Sequence, residues 1–235
     1  MTKPFDSAAD LVDAPHVGTK LKPRNAATLI LVRRDGDEPQ VLMGRRAEGH
    51  VFMASKWVFP GGRVDSGDIT APAATELRPE VIAHPALGAS KGAARGLGIC
   101  AVRETFEEAG LMLAKPATYA KPPSRTWRDF AEKGVAADLG ALSFIARAIT
   151  PPGRARRFDA RFFMAEASAL LHMQPETGDR ELDEIAWLTV EQLTDLDLPQ
   201  ITRFVLREVV GRLQDEIDDV PFVRMVRGQH SVERF

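Results

Sequence analysis

The sequence predicts an α/β fold in which a mixed β-sheet carries α-helices on its faces. Three observations lead there. Apolar runs suited to strands alternate with segments of helical period, the pattern of a sheet covered by helices. Turn signals such as Asp35-Gly36 and Pro151-Pro152-Gly153 stand directly between strand candidates, so hairpins interrupt the alternation and the sheet is mixed. At 235 residues, 44% hydrophobic and 27% charged, the chain is long enough to bury a core without staples.

The elements follow in order. Residues 1–24 are polar, contain three prolines and show no period; they read as an irregular arm, with 25–235 as a single domain. Ala26–Val32 is apolar and rich in β-branched residues, as a buried strand requires, and Gln40–Arg46 is its hairpin partner. Trp57-Val58-Phe59 is a short strand halted by Pro60-Gly61-Gly62. Residues 69–93 hold three prolines and little periodicity, which predicts an inserted loop (about 69–95). From Ala94 to Ala109 the pattern is helical: Gly98, Val102, Thr105 and Ala109 share one face, and Gly110 stands where a terminating glycine belongs. A short strand at Leu111–Leu113, a loop at 116–123 and a helix at Trp127–Lys133 come next. Strands are expected at Ser143–Ile149, Arg161–Ala165 and Leu182–Leu188, then helices at Val190–Leu196 and Thr202–Glu216. The tail, Val220–Phe235, fits more than one structure.

Composition narrows the function. No run of 18 apolar residues occurs and MTKPFDSAAD has no apolar signal core, so neither a membrane span nor secretion by that route is expected. A net charge of −2 argues against gripping nucleic acid as the main task. The one cysteine, Cys100, excludes an intrachain disulfide and suits a reducing cytoplasm; with five scattered histidines it makes a structural zinc site improbable. His50 and His84 read as surface residues, Cys100 as partly buried, and Trp57, Trp127 and Trp187 as core.

One segment carries chemistry: Arg103-Glu104-Thr105-Phe106-Glu107-Glu108-Ala109-Gly110. Glu104, Glu107 and Glu108 fall within an arc of about 100° on a helix, opposite the apolar face. Glu104 and Glu108 are a like-charge i,i+4 pair, which costs an isolated helix about 0.2–0.5 kcal/mol. Such a cluster calls for a cation, and hard oxygen ligands select Mg²⁺ or Mn²⁺ over Zn²⁺. Arg103 is one turn from Glu107 and can orient it. Upstream, the glycines of Phe59-Pro60-Gly61-Gly62 let backbone approach a ligand closely, and Asp68 follows.

These residues resemble the signature of the Nudix hydrolases: Gly, five residues, Glu, seven residues, then Arg-Glu-apolar-x-Glu-Glu-x-Gly-apolar. Gly62 starts the pattern, and Arg103 to Leu111 match every fixed residue, with Thr105 in the first apolar slot. Asp68 replaces the first Glu. Between it and Arg103 lie 34 residues where the family has seven, an insertion of 27. Closure entropy tolerates that, since each doubling of a loop costs only about 0.6 kcal/mol.

The resemblance implies a Nudix fold, an α/β/α sandwich with the inserted loop between motif turn and motif helix. It also implies hydrolysis of a nucleoside diphosphate linked to another moiety. Glu104, Glu107 and Glu108 would hold the metal with the backbone carbonyl of Gly61 or Gly62. Glu104 or a late carboxylate, Glu184 in the stretch Glu181, Asp183, Glu184, would be general base, with Arg103 beside them. Leu42, Arg46, Ala47 and Phe59 to Gly62 fit the accessory pattern of the coenzyme A diphosphatase branch, while Val51 and Ser55 break it. The long insertion and the segment Arg157–Phe163 also resemble the branch that hydrolyses coenzyme A and acyl-coenzyme A. Expected substrate contacts are Arg45, Arg46, Phe59, Gly61 and Arg157, and a homodimer is compatible with this reading. The alternatives are a diphosphatase for ADP-ribose, NADH or dinucleotides, and a non-catalytic nucleotide sensor.

Overall fold

The structure of the protein, a computed structural model, describes residues 21–46, 56–118, 125–175 and 182–235. The expectations for residues 1–20, for Ala47, His50, Val51 and Ser55, and for Glu181 lie outside them.

In chain order the elements are β1 (Arg24–Arg33), β2 (Gln40–Arg46), β3 (Trp57–Val58), β4 (Gly61–Arg63), β5 (Ala73–Thr75), α1 (Pro79–Ala83), α2 (Lys91–Ala109) and β6 (Ala114–Pro116). Then come α3 (Arg125–Glu132), β7 (Val135–Asp138), β8 (Ser143–Ile149), β9 (Phe158–Glu166), β10 (Leu182–Thr189), α4 (Val190–Thr194), α5 (Gln200–Leu213), β11 (Pro221–Val226) and β12 (Gln229–Arg234). The large sheet runs β10-β2-β1-β9-β8-β11-β12, with β3 on β2 and β4 on β1. Parallel pairs (β1 with β9, β8 with β11) and antiparallel pairs (β1 with β2, β8 with β9) make it mixed.

β1 lies at the centre because both its faces are apolar. Leu29 and Leu31 enter the core under α2, Ile30 and Val32 the core under α5, and all four are fully buried. Each such side chain contributes about 1.5–3 kcal/mol relative to exposure. The two cores on opposite faces make the α/β/α sandwich.

α2 starts earlier than Ala94. Ser90 caps it by accepting from the Ala93 N–H, and Gly110, at φ 68°, ends it by donating to the Phe106 carbonyl at 2.8 Å. The helix is covered nearly all round, by β1 and β4 and by the inserted segment.

The insertion is not an irregular loop. β5 joins β7 and β6 in a second, three-stranded sheet, while Leu77, Val81, Ala86 and Leu87 belong to the α2 core. Arg161 donates to the Leu87 carbonyl at 3.1 Å and Arg147 to the Ala86 carbonyl at 3.2 Å. Asp159 grips Arg147 through two bonds of 2.8 Å. The prolines that suggested a loop, Pro79 and Pro85, open short helical turns, where a missing N–H costs nothing.

Smaller shifts occur elsewhere. Of Leu111–Leu113 only Leu113 makes a bridge, to Leu170; the strand forms three residues later as β6, ending at Pro116. β7 was not expected, because all four of its residues are buried and no alternation marks it. The tail is a hairpin turning on Arg227 (φ 50°) and Gly228 (φ 82°).

Candidate active site

Beside β1, β4 pairs Gly61 with Thr28 and Gly62 with Ala27. A Cβ at Gly61 would stand 2.6 Å from Thr28 Oγ1, and one at Gly62 would stand 2.4 Å from the Glu104 carboxylate. Glycine is therefore required twice, once by the strand beneath and once by the helix across. The Gly61 N–H donates to Glu108 Oε2 at 2.8 Å. Glu108 is buried, Glu104 is 14% exposed at its side chain and Glu107 36%. Glu104 and Glu108 thus face the glycine turn, while Glu107 stays partly open to solvent.

Arg103 organises the cluster. Its Nε and Nη2 donate to the two oxygens of buried Asp68 at 2.8 and 3.0 Å, and Nη2 also reaches the Arg63 carbonyl at 3.0 Å. Nη1 meets Glu107 Oε2 at 2.7 Å and Glu104 Oε1 at 2.8 Å. Burial opposes its charge, but its hydrogen bonds to Asp68 and the charge of Glu104 outweigh it and raise its pKa. Asp68, whose carboxylate also accepts from the Asp65 N–H, is thereby the carboxylate that fixes Arg103, at the motif position where Glu was expected. That role was not legible in the sequence, since its partner stands 35 residues away. Thr105 fits its apolar slot because its hydroxyl donates to the Ala101 carbonyl at 2.8 Å. Cys100 is fully buried, its thiol pushed well up by burial, and Sγ lies 3.5 Å from the Gly62 carbonyl oxygen.

Phe59, Arg45, Glu184 and Arg157 do not join the cluster. Phe59 is buried in the core under α5, so it is packing and offers no surface to a substrate. Ile185 and Trp187 of β10 pack toward α2; Glu184 alternates to the other face and pairs with Arg45 of β2 at 3.0 Å. Glu184 is thus turned away from the helix that bears the glutamates. Arg46 closes β2 opposite Leu182. Arg157 donates to the carbonyls of Thr150 and Leu21, bracing the β8–β9 turn. Arg161 is buried, with its pKa lowered to about 10 by burial, and holds the insertion. His84 is half-buried against Phe144; Trp127 is core, and Trp57 and Trp187 pack on its margins.

The donor set is all oxygen, which suits a hard divalent cation. Among the described residues, no three Asp, Glu, His or Cys side chains already stand at ligating spacing. Arg103 supplies the neutralising charge in this arrangement.

No family model matches the chain. It is 28% identical to the acyl-coenzyme A diphosphatase NUDT19 of Gallus gallus, over 63% of this chain. The match spans 52% of that protein's length, about half of it. The crystal structure of a Nudix hydrolase from Alicyclobacillus acidocaldarius superposes with a TM-score of 0.60 at 26% identity, covering 80% of this chain and 91% of that one. The chain has the Nudix fold. The helix that carries the glutamates is α2 and the glycine turn is β3–β4, and Leu77, Val81, Ala86 and Leu87 of the segment between them are a folded part of the α2 core. Among the described residues, no helix is long and apolar enough to cross a membrane.

Proposed function

We propose that this protein is a Mg²⁺- or Mn²⁺-dependent diphosphatase of nucleoside diphosphate derivatives, with coenzyme A or acyl-coenzyme A as favoured substrate. The observation that carries the reading is the carboxylate cluster aligned by Arg103 against the Gly61-Gly62 turn. Glu104, Glu107, Glu108 and the Gly62 carbonyl would hold the ion. When bound, it neutralises phosphate oxygens and lowers the pKa of water. Glu104 sits against the glycine turn and takes the proton from the attacking water. Arg103 keeps Glu104 and Glu107 aimed, and Gly61 N–H fixes Glu108. The substrate preference is supported by the likeness to an acyl-coenzyme A diphosphatase and by the partial accessory motif at Leu42, Arg46 and Ala47. A reducing compartment such as the cytoplasm suits the single buried thiol.

The test is kcat/KM across coenzyme A, acyl-coenzyme A, ADP-ribose, NADH and diadenosine polyphosphates, with Mg²⁺, Mn²⁺ or chelator. Metal-dependent release of adenosine 3′,5′-bisphosphate from coenzyme A, at the highest kcat/KM, is expected. A preference of about tenfold or more for ADP-ribose or a dinucleotide, some 1.4 kcal/mol, overturns the substrate choice. Absence of turnover on the whole panel overturns the enzyme.

A further inference from the structure

The inserted segment and the start of α2 enclose an open groove of about 730 Å³. Leu77, Pro79, Ile82 and Ala83 give it an apolar lining, and Lys91 and Arg95 add cations. Arg95 is already occupied by Glu76 at 3.0 Å and by the Ile69 carbonyl at 3.1 Å. The groove shares a helix with the glutamates. Gly92 at the groove, Gly96, Arg103 and Glu107 follow one stripe of α2, and Gly92 lies about 18 Å from Glu104 along the axis at 1.5 Å per residue. Between the two ends, the turn Ser66–Ile69 lies on Gly96, and Ile69 remains 50% exposed. An exposed isoleucine flanked by an apolar groove and a charged cluster extends the apolar surface toward that cluster.

We propose that this track receives the non-nucleotide arm of the substrate: an extended chain leaves the diphosphate at the glutamates, crosses Ile69 and buries its apolar end against Leu77 and Ile82. This rests on the reading of the glutamate cluster as a diphosphatase site, but it does not require coenzyme A itself. It assigns the insertion a part in selecting long, apolar-ended arms over compact ones such as a sugar.

The experiment is calorimetric titration of full-length Glu107→Gln protein, in which turnover is expected to be at least about a hundredfold slower. The probes are ADP, ADP esterified on its terminal phosphate with a dodecyl chain, coenzyme A and lauroyl-coenzyme A, all with Mg²⁺. The dodecyl chain is expected to tighten binding over ADP by at least about tenfold, the worth of burying two methylenes. Ile82→Glu and Ile69→Ser, added separately, should reduce that gain below about threefold. Ile69 is half exposed, so its replacement keeps the test intact if Ile82→Glu does not fold. No gain in the parent, or a gain kept in the Ile69 variant and in every folded Ile82 variant, overturns the proposal. If the dodecyl probe gains while neither coenzyme A species binds, the groove stands and the coenzyme A reading falls. If coenzyme A binds but neither long chain gains, the reading stands and the groove assignment falls.

Discussion

Asp68 holds Arg103 through both carboxylate oxygens in a buried pair, and Arg103 in turn holds Glu104 and Glu107. Removing the Asp68 charge takes two charge-assisted hydrogen bonds from the buried guanidinium but leaves it Glu104 and Glu107, so the cost stays below that of a fully uncompensated buried charge, about 3–5 kcal/mol. Asp68→Asn is therefore expected to lower stability by about 1.5–3 kcal/mol in urea titration. It should also reduce kcat more than tenfold, about 1.4 kcal/mol of transition-state stabilisation, under conditions where the variant stays folded. Glu107→Gln and Glu108→Gln should each lower turnover by about a hundredfold or more, since a cation clamp supplies several kcal/mol to the transition state. Near-native Mg²⁺-dependent rates in either would contradict their roles. The glutamates, Arg103 and the two glycines were legible because they lie within one helix and one turn, where spacing alone fixes geometry. Phe59, Glu184 and Arg157 were not, because the face each side chain takes depends on strand register and turn packing across the sheet.

At the scale of elements, the insertion decides the comparison. Its strand and helices are three to five residues long, too short for periodicity to register, and prolines at their first turns imitate breakers. The likewise illegible β11–β12 turn uses Arg227 where Asn or Asp would have given the signal. Because Leu87 is fully buried in the α2 core, Leu87→Ala should cost about 2–5 kcal/mol, read by chemical denaturation. Replacing residues 70–92 by a Gly/Ser linker should abolish cooperative unfolding; retained native cooperativity would mean that the segment is dispensable. His84 adds a pH dependence. Its Nδ1 is buried without a hydrogen-bond partner, and burial, helped by the charge of Arg212, holds its pKa below the usual 6.5. Below that value the unfolded chain takes the proton first, so stability present above pH 6.5 is lost as pH falls through the lower folded pKa. The loss of stability between about pH 7.5 and 5.5 should be smaller in His84→Gln.

Across the whole molecule, the alternation of strands and helices made the sandwich legible, while the second sheet and the tail hairpin were set by contacts distant in sequence. The tail is locked by Glu208, a buried α5 carboxylate that accepts from Arg234 at 2.6 and 3.1 Å. Arg234→Ala should cost about 1.5–3 kcal/mol, the range for charge-assisted hydrogen bonds, and toward the lower end because Arg234 is 40% exposed. The measurement is the thermal midpoint; an unchanged midpoint would show that the hairpin adds nothing.

The split of the motif by a folded segment also bears on how the site assembles during folding. The glycine turn and the glutamate helix are separated by the inserted segment, so Asp68 meets Arg103 only when a long loop closes. Local contacts cannot assemble the site; only closure of this long loop does, and the entropy of that closure is recovered when Leu77, Val81 and Leu87 pack. In refolding, recovery of activity should therefore trail helix formation and coincide with protection of amides in the inserted segment. By linkage, a ligand seated on the glutamates should slow hydrogen exchange as far away as Leu87.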